Sequence, residues 1–259
     1  MRVLFLGDIV GRPGRRAAGR TVRALRARVG VDFVIANCEN ATGGKGVDPD
    51  AAEELYEAGV DVLTSGNHVW QHRAIVPHME HDARLIRPLN FPPGVPGRGW
   101  TVQRGGDGTP IAVINLIGRA FMAPVDCPFR AVNEVLQAIH GQAVVVIVDM
   151  HGEATSEKVA MGRFLDGRVS AVVGSHTHVQ TADAHVLPGG TAYITDAGMC
   201  GPEDSVLGVR TDQVLRRFLT QMPRRFEVAT ENVQLHGAIF EIDEETGRAL
   251  SARRIQKKL

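Results

Sequence analysis

The sequence has little cysteine, few aromatic residues and no excess charge of either sign. Its three cysteines, Cys38, Cys127 and Cys200, lie far apart and form no CxxC pair. This usage argues against a disulfide framework and a zinc finger and for a reducing compartment, so we expect a cytoplasmic protein. Lysine plus arginine and aspartate plus glutamate both number 29, and 44% of the residues are hydrophobic. This composition excludes a disordered polymer.

Long hydrophobic runs are also missing. The longest unbroken one, residues 143–148, ends at Asp149 and is far shorter than the roughly 20 residues that cross a bilayer. Asp8 interrupts the apolar start of the chain too early for a signal peptide, so we expect no membrane association. Because no repeat, low-complexity tract or shift in composition marks a boundary, residues 1–259 are predicted to form one domain.

Short, β-branched apolar runs separated by helical patterns dominate the rest of the sequence. Such runs suit strands that are covered on both faces, and their alternation with helices indicates an α/β fold. Two hairpin-like pairs, at residues 100–115 and after His236, predict antiparallel strands in a mixed sheet system. The other predicted strands cover residues 2–6, 32–36, 60–64, 111–115, 144–148, 170–173 and 192–195.

Polar side chains stand where several of these strands stop. In chain order they are Asp8, Glu39, Asn40, Asn67, His68, His151, His176 and His178. Because open α/β sheets bind ligands beyond the carboxyl ends of their strands, we expect these residues to meet at one rim. The spacing of the last two histidines favours this, since side chains at i and i+2 of an extended segment point to one side.

So dense a set of carboxylates and imidazoles predicts a metal centre. These groups are costly to bury together unless something positive lies between them, and their atoms suit manganese, iron or zinc. Six of these side chains are counted as potential ligands: Asp8, Glu39, Asn67, His151, His176 and His178. Six ligands are too many for one tetrahedral ion, and they suit two ions that share a bridging carboxylate. A chain long enough to bury roughly three quarters of its surface needs no structural metal, so we expect functional ions.

The order of the motifs resembles that of the calcineurin-like metallophosphoesterases. The chain has GD after the first strand, GNH after the third, an isolated histidine, and GSHTH late in the sequence. Five longer segments resemble the YmdB group of bacterial phosphodiesterases over nearly the whole length: GDIVGRPGR, NCENATGGKG, TSGNHVW, DMHGEATSEK and GSHTHVQTADA. The resemblance implies an αββα sandwich of two mixed β-sheets, a homo-oligomer, and two metal ions that act on phosphodiesters such as 2′,3′-cyclic nucleotides.

The resemblance also implies roles for individual residues, with iron or manganese as the expected metals. It assigns Asp8 and His178 to one metal, Asn67, His151 and His176 to the other, and Glu39 to the bridge. Asn40 would add an oxygen to the first metal, and His68 would be the proton donor. The wider superfamily usually has Asp-x-His in its first motif, where this chain has Val10, and Asp in place of Glu39. Because Val10 cannot coordinate, the first metal should be held less completely.

These ligands predict a hydrolytic mechanism. Two ions about 4 Å apart would lower the pKa of a bridging water to near 7, clamp the phosphate oxygens and orient in-line attack on phosphorus. Protonation of the departing alkoxide by His68 would contribute roughly 100- to 10,000-fold. Opening of a 2′,3′-cyclic ester would then give a nucleoside monophosphate.

Several other interpretations remain open at this stage. An amidohydrolase also gathers histidine and aspartate around two metals, but its His-x-His pair normally stands at the first strand. A regulatory or scaffolding protein with little turnover would keep the same ligands, and Asp8 alone could cap the helix that follows it. The glycine-rich stretches match neither a Rossmann nor a P-loop motif, and their glycines would let backbone approach the metals.

The first helix carries seven arginines, for which a solvated face is the default interpretation and RNA or an acidic partner the alternative. They are Arg12, Arg15, Arg16, Arg20, Arg23, Arg26 and Arg28. Arg12 and Arg119 follow strands and could reach a substrate phosphate. Away from the strand ends, His236 is predicted to be structural, and the other histidines, His72, His78, His81, His140 and His185, to lie at the surface.

Overall fold

Two β-sheets face each other at the centre of the protein in a computed structural model that describes residues 1–259. The strands are β1 (Arg2–Leu6), β2 (Asp8–Ile9), β3 (Phe33–Asn37), β4 (Val62–Thr64), β5 (Trp100–Arg104), β6 (Pro110–Ile117), β7 (Val145–His151), β8 (Ala171–Ser175), β9 (His185–Val186), β10 (Ala192–Ile194), β11 (Met199–Pro202), β12 (Val233–Ile242) and β13 (Ala249–Lys258). The helices are α1 (Gly11–Val29), α2 (Pro49–Glu57), α3 (Ile75–His81), α4 (Pro128–Ala138), α5 (Thr155–Leu165) and α6 (Thr211–Thr220).

Both sheets mix parallel and antiparallel strands, which confirms the predicted fold class. The first sheet has the order β2-β11-β12-β1-β3-β4, with β13 also paired to β12, and the second has the order β5-β6-β7-β8-β10-β9. In the first sheet β1, β3 and β4 run parallel, and in the second β6, β7, β8 and β10 do so. The parallel strands of each sheet therefore end at a common edge.

Three apolar cores separate four layers. Side chains alternate along β1, so that Phe5 faces the second sheet and packs with residues such as Ile147, while Leu4 faces α1 and packs with Val22. A third core, around Met161 of α5, covers the outer face of the second sheet. Helices thus cover both outer faces of the paired sheets. None of the helices combines the length and the apolar character that a membrane crossing would need.

The predicted strands lie close to the observed ones, with differences at the functional ends. Strand β7 continues to His151 and β8 to Ser175, beyond the predicted ends at residues 148 and 173. The predicted hairpins are β5–β6 and β12–β13, although β12 begins at Val233, so His236 lies inside the strand. The short strands β2, β9 and β11 were not predicted because two to four residues carry too little periodicity.

The arginine-rich face of α1 is only partly solvated. The guanidinium of Arg15 donates to Glu54 at 2.5 Å, Arg23 donates to the carbonyl oxygen of Glu57, and Arg26 pairs with Asp61. The default interpretation was therefore wrong for Arg15 and Arg26, which are half-buried, while Arg23 is exposed as predicted. All three side chains tie α1 to α2 and the following loop. Asp8 does not cap α1, since the residue before the helix is Val10 and no side chain bonds its first turn.

We predict that Gly174→Ala destabilises the protein by at least about 2 kcal/mol, because a β-carbon there would lie 1.7 Å from the carbonyl oxygen of Thr195 and the strands must separate to admit it. The control is Gly106→Ala, at a glycine with no heavy atom within 4 Å of the added carbon, which should change stability by about 0.5 kcal/mol or less. Denaturant unfolding of the three proteins measures both effects, and similar midpoints would contradict the prediction.

Candidate metal centre

The polar residues at the strand ends lie together at the shared edge of the two sheets. Strands β1, β3 and β4 bring residues 8, 39–40 and 67–68 from the first sheet, and β7 and β8 bring residues 151, 176 and 178 from the second. All eight predicted side chains line one site: Asp8, Glu39, Asn40, Asn67, His68, His151, His176 and His178. Their roles as ligands stay a prediction.

One half of the site is centred on Glu39. Its Oε2 atom lies 3.1 Å from Nε2 of His151, which in turn lies 3.0 Å from Nδ1 of His176 and 3.2 Å from Oδ1 of Asn67. Glu39, His151 and His176 each offer one ligand atom, and these atoms all lie within 4.8 Å of one another. This spacing is that of a group able to share one cation.

The other half contains Asp8 and His178. Oδ1 of Asp8 lies 3.8 Å from Nε2 of His178, and its Oδ2 accepts a hydrogen bond from the backbone N–H of His176 at 3.1 Å. The amide nitrogen of Asn40 lies 3.0 Å from Nε2 of His178 and 3.2 Å from Oε1 of Glu39. Asn40 and Glu39 therefore stand between the two halves.

A buried network orients the ring of His151. Its Nδ1 atom lies 2.9 Å from Oγ of Ser175, whose hydroxyl donates to Asp149 at 2.6 Å. Asp149 also accepts hydrogen bonds from Thr64 at 2.5 Å and Asn37 at 3.0 Å. Because the hydroxyl of Ser175 donates its hydrogen to Asp149, its oxygen accepts a hydrogen bond from the Nδ1–H group of His151. The Nε2 atom of His151 then faces Glu39.

The same arrangement holds His178 in one orientation. Its Nδ1 atom lies 3.0 Å from the carbonyl oxygen of Leu207, which can only accept a hydrogen bond. The proton therefore sits on Nδ1, so the Nε2 lone pair accepts a hydrogen bond from the amide of Asn40 at 3.0 Å and lies 3.8 Å from Oδ1 of Asp8. Both histidines thus present Nε2 to the site, which is the form that coordinates a metal.

The backbone between the two late histidines is not extended. His176 has a φ angle of 101° and His178 one of 66°, so both occupy the left-handed region that side-chain-bearing residues rarely adopt. The expectation of an extended segment was wrong, although both rings enter the same site, as expected. One ring enters the Glu39 half and the other the Asp8 half. Such backbone costs about 1–3 kcal/mol per residue and persists only where the surroundings hold it.

An ion pair holds this loop. Nζ of Lys158 lies 2.6 Å from Oδ2 of Asp196, and both side chains are 1% exposed. The same oxygen accepts from the N–H of Thr177 at 3.1 Å and its hydroxyl at 2.8 Å, and Oδ1 accepts from the N–H of Gly198. Thr177 is thereby fixed between the two strained histidines. Sequence reasoning missed both charged residues, although Asp196 directly follows the predicted strand 192–195 and so carries the strand-end signal that identified the other site residues.

The charges of the site are unevenly balanced. Burial raises the pKa of Asp8, against the opposing charges of His178 and His151. Burial would also raise the pKa of Glu39, but the charge of His151 and hydrogen bonds from the neighbouring histidines hold it well below its usual range. Burial acts to lower the pKa of His151, and Glu39 and Asp8 overcome it and raise that pKa to about 9. Glu39 is thus compensated and Asp8 is not.

Two features of the site fit a bound cation. The Oδ1 atom of Asp8 is buried and has no hydrogen-bond partner, although an orphaned carboxylate oxygen is costly unless a positive group faces it. Gly66 borders the other half, where a β-carbon would lie 2.2 Å from Oε2 of Glu39 and 2.3 Å from Nε2 of His151. Only glycine leaves space at that position, and the oxygen and nitrogen donors suit a transition metal.

The loop that follows Asn40 does not use its glycines as expected. A β-carbon on Gly46 would lie 3.0 Å from the carbonyl oxygen of His68 and 2.7 Å from Cβ of Gln71, and one on Gly44 would lie 2.9 Å from Val228. These glycines therefore admit neighbouring protein segments rather than a metal. The expectation that they let backbone approach the ions was wrong.

His68 lies beside the cluster with 29% of its side chain exposed. Its Nδ1 atom lies 3.2 Å from Oδ1 of Asn40 and 3.5 Å from Oε1 of Glu39. The amide oxygen of Asn40 therefore faces His68, whereas the resemblance implied an oxygen for the first metal. The side chains of Arg12 and Arg119 are exposed and bond none of the site residues.

Most of the remaining histidines lie where the sequence predicted, and two of the cysteines lie in the core. Cys38 and Cys200 are buried, and burial raises the pKa of the Cys200 thiol to about 12, consistent with small hydrophobic core residues. Half-buried His236 bonds Gln234 inside β12. His81, His140 and His185 are exposed, but the surface prediction was incomplete for His72 and His78, which are half-buried.

Comparisons with known proteins agree on one family. Residues 4–255 match the family described as YmdB-like protein. The chain is 45% identical over 255 residues to the 2′,3′-cyclic-nucleotide 2′-phosphodiesterase of Bacillus subtilis (strain 168), covering 98% of this chain and 96% of that protein. A crystal structure of a hypothetical protein from Thermus thermophilus is similar with a TM-score of 0.93 and 43% identity, covering 100% and 99% of the chains. That of a novel phosphatase from Mycoplasma pneumoniae has a TM-score of 0.93 and 35% identity, covering 100% and 93%.

We predict that Lys158→Met destabilises the protein by about 3–5 kcal/mol, because it leaves Asp196 buried without its cation. The matched control is Lys257→Met on the exposed edge of β13, which should change stability by about 0.5 kcal/mol or less. Denaturant unfolding at neutral pH gives the comparison. A cost at Lys158 no larger than that at Lys257 would show that the ion pair does not hold the loop.

Proposed function

The chain belongs to the YmdB-like family, and on that premise we propose that it is a metal-dependent phosphodiesterase acting on 2′,3′-cyclic nucleotides. A relative named for this activity is 45% identical over nearly the whole of both chains. A structural neighbour described as a phosphatase shares the fold over the entire chain. Hydrolysis of phosphate esters is therefore the reaction class that the family supports, and the cyclic nucleotide is the substrate that we infer.

The observation that carries the proposal is the group formed by buried Asp8, Glu39 and His151 with half-buried His176 and His178 at one edge of the sheets. A buried carboxylate raises the free energy of the folded state unless a positive group or a hydrogen-bond donor faces it. The unpartnered oxygen of Asp8 therefore indicates a position that a cation would stabilise. We assign Asp8 and His178 to one cation, Asn67, His151 and His176 to the second, and Glu39 to both. Iron or manganese suits these donors. Bound there, two cations would acidify a water molecule and neutralise charge on a phosphate.

His68 is the residue that we assign to proton transfer. The hydrogen bond between its Nδ1 atom and the amide oxygen of Asn40, at 3.2 Å, fixes the ring and makes Nδ1 the donor in that bond. A proton on Nε2 can then pass to the oxygen that leaves phosphorus. Because part of the ring is exposed, a substrate can reach it from solvent. Asn40 acts here as a positioning residue.

The homo-oligomer and the cytoplasmic location stay predictions, as does the single domain. The oligomer is implied by the family resemblance, and light scattering of the purified protein would decide it. The alternative of a metal-binding scaffold with little turnover uses the same ligands and differs from the enzyme only in the rate of hydrolysis.

We predict that the protein binds about two transition-metal ions per chain and that Gly66→Ala loses most of this binding, because the added methyl group would occupy the space beside Glu39 and His151. The control is Gly152→Ala, where the nearest heavy atom would lie at an ordinary 3.6 Å, and this variant should bind as the wild type does. Elemental analysis after reconstitution with Mn²⁺ or Fe²⁺ measures the content. A folded wild-type protein that takes up neither ion would overturn the proposal.

We predict that His68→Ala lowers the rate of 2′,3′-cyclic AMP hydrolysis by roughly 100- to 10,000-fold at equal metal content. The control is His140→Ala, an exposed histidine after α4, which should leave the rate unchanged. Equal rates for His68→Ala and the wild type would exclude the acid role. The absence of hydrolysis in all three metal-loaded proteins would favour the scaffold.

A further inference from the structure

A cleft of about 650 Å³ opens beside the metal centre. The loop after Asn40, the segment after His68 and parts of the chain from Val209 to Val228, which includes α6, form its walls. Four basic side chains line it, namely Lys45, Arg217, Arg224 and Arg225. They come from two distant parts of the sequence, so no run of charge in the primary structure marks this surface.

The basic side chains of this cleft outnumber its one acidic side chain. None of the four basic side chains forms an ion pair. The carboxylate that lines the cleft, Glu227, is already engaged, since it accepts from Arg210 at 3.1 Å and from Gln213 at 3.0 Å. Unpaired cations gathered around a concave surface attract an anion that carries several charges.

The segments that line the cleft contact the segments that carry the site residues. Gly46 at the end of the first wall donates its N–H to the carbonyl oxygen of Glu39 and packs against the carbonyl oxygen of His68. The ring of His72 bonds the carbonyl oxygen of Lys45 at 2.9 Å and so joins the first two walls. The third wall follows Leu207, whose carbonyl oxygen holds His178. The cleft therefore begins on the side of the site where His68 lies.

The geometry points to this cleft as the binding site for the 5′-phosphates of an oligoribonucleotide whose 3′ end is a 2′,3′-cyclic phosphate. The inference rests on the proposed function and extends its substrate class. His68 gives its proton to a ribose oxygen, so the ribose of the cyclic phosphate lies on its side of the centre. Any further nucleotides are attached to that ribose through its 5′ oxygen and continue into the cleft, past Arg217, whose guanidinium lies 5.6 Å from the centre of the half-buried Phe226 ring.

A charge-matched pair of variants tests the inference. The first combines Arg217→Gln, Arg224→Gln and Arg225→Gln, all remote in sequence from the metal site. The second removes three exposed arginines outside the cleft with Arg163→Gln, Arg216→Gln and Arg253→Gln, of which Arg216 lies on the same helix as Arg217. Both proteins and the wild type are loaded with Mn²⁺ and assayed on 2′,3′-cyclic AMP and on a five-nucleotide RNA that ends in a 2′,3′-cyclic phosphate.

We expect the wild type and the control to prefer the RNA, and the cleft variant to lose roughly tenfold or more in kcat/KM for the RNA with less than a twofold change for cyclic AMP. With about three phosphates contacted, the wild-type KM for the RNA should rise about 20-fold between 50 and 200 mM salt, and that of the cleft variant far less. Equal losses in both variants, or a salt response independent of the cleft, would overturn the inference.

A binding measurement separates failure of the cleft from failure of the proposed function. Fluorescence anisotropy with the same RNA ending in a 3′-phosphate needs no turnover, and the cleft variant should bind it at least about tenfold more weakly than the control. If cyclic AMP is hydrolysed while the RNA binds all three proteins alike, the cleft proposal is wrong and the enzyme stands. If neither substrate is hydrolysed but the cleft variant alone loses RNA binding, the proposed activity is wrong and the RNA site stands.

Discussion

The burial of two carboxylates, Asp8 and Glu39, at the edge where both sheets end is the constraint on which the site depends. Both carboxylates are buried, so each must be compensated by other charges or dipoles. Glu39 is compensated by the histidine rings around it, which hold its pKa low. Asp8 keeps one oxygen unpartnered and has a raised pKa. The two halves of the centre therefore differ before any cation binds.

This difference has a physical consequence for metal binding. In the Glu39 half, the charges of Glu39 and Asp8 overcome burial and raise the pKa of His151 to about 9, so a cation bound there would compete with a proton for this ring at neutral pH. In the Asp8 half, one carboxylate oxygen has no hydrogen-bond partner and Nε2 of His178 faces the amide of Asn40, but Val10 supplies no ligand. The Glu39 half thus offers a cation more donor atoms, but His151 must lose a proton to bind it. The Asp8 half offers fewer donor atoms and a carboxylate whose charge is less well compensated.

The positions of the site residues could be predicted from the sequence, but their conformations could not. Asp8, Glu39 and His151 each lie at a strand end, which the pattern of apolar runs reveals because parallel strands end at a common edge. The left-handed backbone of His176 and His178 could not be foreseen, since tertiary contacts with Asp196 and Leu207 impose it.

The residues that hold the site side chains in place are harder to predict from the sequence. Asp149 lies two residues before His151 on the same face of β7, so strand alternation would have placed it beside the ring. Ser175 directly precedes His176, yet it orients a different histidine, which only the parallel pairing of β7 with β8 explains. The pair of Lys158 and Asp196 joins a helix to a loop 38 residues away, and no local pattern predicts such a contact.

Charge in the sequence and charge in space differ in the same way. The arginines of α1 form the most conspicuous basic run in the sequence. However, the guanidinium groups of Arg15, Arg23 and Arg26 donate hydrogen bonds to acceptors of neighbouring segments. Lys45 and Arg224 are separated by most of the chain and have no such acceptors, so their charges remain available in one concave surface. An electrostatic site is therefore defined by which charges stay unpaired after folding, and this depends on the packing of whole segments rather than on local composition.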